Sequence, residues 1–142
     1  MLADVGAAAL DVAGSEWTDV VLRRGRIGAL VAHGAALERV TIEHGRVDYV
    51  NLRDARLTQV QLLDCRVGEL DLGTAELSEV RLVGCEIGRL RLTGATLADV
   101  DLRGAELTAV EGVGALAGAT ISEVQLALLG PAFAEHLGVR VG

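Results

Sequence analysis

Three histidines (His33, His44 and His136) and two cysteines (Cys65 and Cys85) are the side chains of this 142-residue chain best suited to metal binding or nucleophilic chemistry. Metal sites gather such ligands at short, fixed spacings. The histidines are scattered, two at different bends of the repeat described below and one in the C-terminal tail, so the sequence predicts no metal centre. The cysteines stand twenty residues apart, which leaves two readings: a disulfide, or two thiols used as small core fillers. Side chains that point the same way and a reducing compartment favour the free thiols. No Ser/His/Asp set, glycine-rich phosphate loop or pair of carboxylates flanking a cleft can be found, so neither a catalytic residue nor a cofactor is expected.

The charged residues offer surface chemistry instead. Net charge is −7, and all thirteen basic residues are arginine, a preference that codon bias in a GC-rich genome explains. An acidic balance argues against a nucleic-acid ligand, which needs a basic surface to neutralise phosphates. Arg26, Arg46 and Arg66, followed by Glu86 and Glu106, recur every twenty residues and form one outward column. Stacked like charges repel, so the column is either a solvated face neutralised locally by Asp48 and Glu69, the expected case, or a site for an anion. Residues 61–111 hold ten acidic and five basic side chains, whereas 17–60 hold five acidic and seven basic. Asp64, Glu69, Asp71, Glu76, Glu79, Glu86, Asp99, Asp101 and Glu106 are therefore the candidate partner-binding acidic surface.

The elements that position these residues must be unusual. Just over half the residues are apolar, yet the chain has one Trp, one Tyr and one Phe. A core of Leu, Val, Ile and Ala without aromatics suggests narrow, repeating layers rather than an irregular interior. The first fourteen residues lack a basic segment ahead of their apolar stretch, and no run of about eighteen apolar residues exists, so neither a signal peptide nor a membrane span is expected. The sequence predicts a cytoplasmic protein with no membrane partner.

Every fifth residue from Leu22 to Leu107 is Leu, Ile or Val, with Ala32 the single exception. Another apolar or small residue stands two places before each. An α-helix cannot use this pattern, because five residues advance it by about 500° and the marks never line up. A strand can: residues i−2 and i point inward, i−1 points out, and the remaining two make a bend. The i−2 positions then show a twenty-residue superperiod. One series reads Val20, Val40, Val60, Val80, Val100; the next Gly25, Gly45, Cys65, Cys85, Ala105; the third Leu30, Val50, Leu70, Leu90, Val110; the fourth Ala35, Ala55, Ala75, Ala95, Ala115. Uniform size within each series is expected if residues twenty apart stack directly, so four pentapeptides make one square coil. The preferred hand of parallel β connections makes it right-handed.

Ala75-Glu76-Leu77-Ser78-Glu79, Ala95-Thr96-Leu97-Ala98-Asp99 and Ala105-Glu106-Leu107-Thr108-Ala109 resemble the pentapeptide-repeat family, whose consensus is a small residue, Asp or Asn, Leu, then two polar residues. The resemblance spans about residues 17–111 and departs from consensus by placing Val or Leu at every second small position. It implies an all-β, right-handed quadrilateral parallel β-helix of about five coils. The family's best-understood members are rods that imitate duplex DNA and bind DNA gyrase, some conferring quinolone resistance. The competing fold is a leucine-rich repeat, whose strand consensus Leu77–Ile87 also fits; the five-residue beat, however, never relaxes as a convex side would require.

Residues 1–16 read as an N-terminal segment and first partial coil, 17–111 as the β-helix, and 112–142 as a C-terminal cap. In the cap, Ser122 with Gln125 spells a capping box for a short helix to about Leu129. Pro131 suits the first position of a second helix through Leu137, Gly138 stops it, and Val139–Val141 could add a strand. Val124, Leu128, Phe133 and Leu137 supply an apolar face that either plugs the last coil or pairs two chains, as C-terminal segments do in the family. The expected function is a rigid interaction or scaffold module with an unknown protein partner, as a monomer or C-terminally joined homodimer. The alternative is a DNA-mimic inhibitor of DNA gyrase.

Overall fold

The computed structural model describes Leu2–Ala3 and residues 6–142 of the chain. The chain winds as a parallel β-solenoid through β1 (Leu2–Ala3), β2 (Gly6–Asp11), β3 (Glu16–Arg23), β4 (Arg26–Val31), β5 (Ala36–Glu43), β6 (Arg46–Asn51), β7 (Arg56–Leu63), β8 (Arg66–Asp71), β9 (Glu76–Arg91) and β10 (Thr96–Glu111). A single turn of 3₁₀ helix (Val113–Leu116), β11 (Ala119–Thr120) and one helix, α1 (Glu123–Leu137), complete it. All strand pairs are parallel, and Val20, Val40, Val60, Val80 and Val100 stand in register, each opposite the next. Four pentapeptides therefore make one turn. A one-residue shift occurs at Gly104, which faces Val83, and another at Ala119, which faces Val100. The solenoid has about six turns rather than the expected five, because β1, β2 and β11 extend the ladder beyond the regular repeat.

Three of the four corners turn through a residue in the left-handed region. They form stacked columns: Asp19, Arg39, Gln59, Glu79 and Asp99; Arg24, His44, Asp64 and Gly84; Gly14, Gly34, Asp54, Thr74 and Gly94. Each such non-glycine residue is strained by roughly 1 kcal/mol or more. The strain persists because backbone bonds on both sides fix the corner, as where the His44 N–H donates to Leu63 O at 2.9 Å and the Asp64 N–H to Val83 O at 2.8 Å. The fourth corner uses no positive φ. It turns at 28, 48, 68, 88 and 108, where a Cβ on Gly68 or Gly88 would lie 2.5 Å from the carbonyl oxygen one coil below.

The inward residues form one continuous core, with Val40 and Leu90 wholly enclosed. Leu107 and Ile42, both expected inside, are only half-buried. The interior is not filled throughout. An apolar void of about 30 Å³ runs beside Gly45 among Trp17, Leu37, Leu57 and Val60, where Gly45 supplies no side chain.

The C-terminal cap differs most from expectation. One helix forms where two were predicted, with Pro131 inside it. Gly130 explains this, since the clash that drives the residue before proline out of α geometry involves a Cβ that glycine lacks. The carbonyl that Pro131 cannot bond belongs to exposed Ala127, where water can serve it. The capping box forms: the Gln125 N–H donates to Ser122 Oγ at 3.1 Å, and the Ser122 N–H to Gln125 Oε1 at 2.8 Å. Gly138 ends the helix with φ 72°, and residues 139–142 form no strand.

Candidate functional site

Outward residues of the solenoid fall on four faces, numbered here by the first coil that shows them: residues 20–22, 25–27, 30–32 and 35–37, each with its twenty-residue repeats. On the fourth face and its corners opposite charges stand one rung apart. Arg56 meets Glu76 at 3.2 Å, and Arg39 meets Asp19 at 2.6 Å and Glu38 at 2.6 Å. That guanidinium holds the Asp19 carboxyl below its usual range. On the first face Arg23 pairs with Glu43, and Arg103 with Asp101 at 3.0 Å, which likewise depresses the Asp101 carboxyl.

The third face carries the densest network. Asp71 points outward from its strand yet is 2% exposed, because the Arg53 guanidinium lies over it with Nη1 at 3.3 Å. Its Oδ1 also accepts from the Gly73 N–H at 2.9 Å. Asp11, Asn51 and Asp101 take the same bond from the backbone two residues on, a turn their short side chains favour. Around Asp71, Arg89 reaches Glu111 at 2.7 Å and Glu69 at 3.9 Å, while Arg91 Nε stands 3.1 Å from Glu111 and 3.7 Å from Glu69. Tyr49 stacks on Glu69 in this cluster. Burial, then the charges of Asp71 and Glu69, push its hydroxyl above the ordinary phenol range.

The second face is arranged otherwise. Arg26, Arg46, Arg66, Glu86 and Glu106 lie in register on consecutive rungs, all exposed. Arg66 meets Glu86 at 3.2 Å, whereas Arg26 and Arg46 form no ion pair among the described residues. Asp48 and Glu69 do not neutralise the column: Glu69 turns to Arg89 and Arg91, and Asp48 forms no ion pair among the described residues. An open groove of about 300 Å³ follows the column, floored by Gly68 and Gly88.

The nine acidic residues do not converge on one surface. Asp64 is 4.0 Å from His44, Glu79 accepts from Gln59 at 3.0 Å, and Glu69, Asp71, Glu76, Glu86 and Asp101 hold the arginines named above. Asp99 and Glu106 have no such partner among the described residues. His33, His44 and His136 stay apart, and no group able to hold a metal occurs among the described residues.

Cys65 and Cys85 are buried, free and in adjacent coils. Their thiols donate to carbonyls, Cys65 to Ile42 O at 3.3 Å and Cys85 to Leu62 O at 3.2 Å. The hydrogen bond with the neighbouring Cys85 thiol, and then burial, push Cys65 up, so it is a poor nucleophile.

At the C-terminal end Gln125 does the work that the sequence assigned to apolar side chains. Its amide donates 2.7 Å bonds to Leu102 O and Ala105 O, carbonyls that a further coil would otherwise serve. Leu129 is buried beside it, and Ala132 and Phe133 pack on the core. Of the four predicted cap residues only Phe133 faces inward. Val124 and Leu128 are 70% exposed and Leu137 is 73% exposed. The signal for Gln125 was present as the third residue of the capping box; its second role requires knowing which carbonyls the last coil leaves open.

The family model for pentapeptide repeats matches residues 75–110 with eight copies. Among solved structures, full-length QnrB1, described as a plasmid-mediated fluoroquinolone resistance protein, aligns with 98% of this chain and 99% of its own at 12% identity and a TM-score of 0.23. A trypsin-treated variant of the same protein aligns with 99% of each chain at 12% identity and a TM-score of 0.22. Comparison with curated proteins yields no match. Among the described residues no helix is long and apolar enough to cross a membrane. The match to pentapeptide repeats covers the later coils, and the register that begins with β1 and β2 carries the same repeat geometry upstream of the matched residues.

Proposed function

We propose that this pentapeptide-repeat chain is a rigid, non-enzymatic protein-interaction module whose partners read the charged faces of the rod. The observation that carries this is the alternation of charge. Arginine–carboxylate pairs occur on all four faces, and seven of the nine acidic candidates already hold a partner. The enclosed void of about 30 Å³ is too small for a metabolite, so recognition belongs to the outside of the rod.

The second reading, a DNA mimic that binds DNA gyrase, draws on the ten acidic against five basic residues of 61–111. Mimicry requires an even negative surface facing a basic groove, and its binding weakens steeply with salt. Acidic residues spread round the rod, five of the nine paired with arginine, fit that role poorly. Supercoiling by purified gyrase at low salt, with a large molar excess of this protein, separates the two. The interaction module leaves supercoiling unchanged. Strong inhibition, or protection from quinolone-stabilised cleavage, would overturn it in favour of mimicry.

A further inference from the structure

In the outward columns of the other three faces a charge meets its opposite on the next rung: Arg81 and Asp101, Asp71, Arg91 and Glu111, and Arg56 and Glu76. On the second face three of the four steps between rungs join like charges: Arg26 to Arg46, Arg46 to Arg66, and Glu86 to Glu106. Like charges directly opposite on neighbouring strands are destabilising. Such a segregated column is favoured when the opposite charges arrive from outside. Along the same face Gly68 and Gly88 leave the edge bare and open the groove.

We propose that the second face binds the second face of another copy of this chain, antiparallel about a two-fold axis between the rungs of Arg66 and Glu86. The axis opposes Arg46 with Glu106 of the partner, Arg66 with Glu86 of the partner, and the reverse. Rungs in both copies repeat at about 4.8 Å, so all four contacts fall in step. An axis on the Arg66 rung is excluded, since it would set Arg66 against itself. A second copy is the occupant because it supplies the same column in reverse order at the same spacing, and a two-fold interface must be self-complementary. One face of so short a rod offers less than the roughly 800 Å² per partner of a standard interface, so the dimer is weak and salt-sensitive. The proposal goes beyond the interaction-module reading and does not depend on the identity of any outside partner.

Sedimentation of the full chain at low salt tests it, with circular dichroism confirming that each variant folds. Dimer forms in a concentration-dependent way and disappears at about 1 M salt, where the screening length is about 3 Å. Arg46→Glu and Glu106→Arg each weaken association at least about tenfold, because each creates two like-charge contacts. The double variant R46E/E106R regains it, and so does an equimolar mixture of the two single variants, in which every contact is again opposite. A monomer at all concentrations overturns the proposal, as does failure of the mixture to associate. Association abolished by Leu128→Glu but untouched by Arg46→Glu overturns it in favour of the exposed side of α1. Binding of duplex DNA by the wild type that Arg46→Glu removes would assign the arginine rungs to a polyanion and also overturn it.

Discussion

Coils built from residues 17–60 and from 61–111 share one backbone repeat but fill and charge it differently. The later coils place Cys65 and Cys85 at the narrow i−2 series and Leu70 and Leu90 on the next side, leaving both thiols and both leucines enclosed. The earlier coils place Gly25 and Gly45 there, and the void lies beside Gly45. The later end is closed by Gln125 and Leu129, and Arg66, Arg89, Arg91 and Arg103 all face carboxylates. In the earlier coils Arg26 and Arg46 have none among the described residues. A solenoid is stabilised rung by rung through nearest neighbours, so the later half should be the more stable block, and fraying should begin in the earlier one.

The largest expected effect breaks the later block from inside. Leu82 is 3% exposed, and Leu82→Asp buries a charge with no partner, costing about 4 kcal/mol or more. Glu79→Lys, on a solvated corner of the same coil, should change stability by less than about 0.5 kcal/mol. Thermal melts of the two variants measure the contrast. Equal shifts would mean that the inward and outward positions are misassigned.

Next in size is the seal. Gln125→Ala leaves Leu102 O and Ala105 O without their donor and opens the capping box, which should cost about 2–4 kcal/mol. The loss should be local: hydrogen exchange of amides in 96–120 should accelerate while 36–63 stays protected. Uniform acceleration along the rod would show that the end seal and the coils form one cooperative unit.

The narrow series gives a gain rather than a loss. A Cβ at Gly45 would sit 3.6 Å from Ile42 Cγ2, 3.8 Å from Gly25 O and 3.9 Å from Cys65 Sγ, ordinary contact distances. Gly45→Ala should stabilise by about 1 kcal/mol, by filling part of the void and by restricting the unfolded chain. Gly68→Ala, whose Cβ would strike Asp48 O at 2.5 Å, should destabilise by about 1–3 kcal/mol. If Gly45→Ala destabilises, the looseness of the earlier coils is not a packing deficit.

These expectations also mark how much the sequence disclosed. The five-residue beat and the size of the i−2 residues were enough for a four-sided parallel coil, since stacking twenty residues apart follows from them alone. The neutralisation of the arginines was not legible, because long side chains choose among several carboxylates within reach: Glu69 was expected to neutralise the arginine column of the second face and stands beside Arg89 and Arg91. The cap was legible as a capping box but not as one helix. Pro131 read as the start of a second helix, when the missing Cβ of Gly130 lets it continue the first. Nor could the exposed side of α1 be told from its buried side, since apolar residues surround the helix and the open carbonyls of the last coil chose Gln125 to face inward.

The smallest expected effect probes the seam between the halves. Tyr49 belongs to the earlier coils yet stands against Glu69 and Asp71 of the later ones, and as the one tyrosine of the chain its phenolate absorbance is unambiguous. Burial raises its pKa most, the two carboxylates raise it further, and Arg91 and Arg53 pull it back. The native midpoint should therefore exceed the value of about 10 found after unfolding. A raised folded value means that the neutral phenol is favoured in the fold. That contribution to stability is complete below the unfolded pKa and is lost as pH climbs through the folded one. Asp71→Asn should lower the native midpoint without returning it to the unfolded value, because burial is the larger cause. A midpoint equal to the unfolded one in the wild type would place Tyr49 in open solvent. It would then remove the contact that ties the earlier coils to the third-face network.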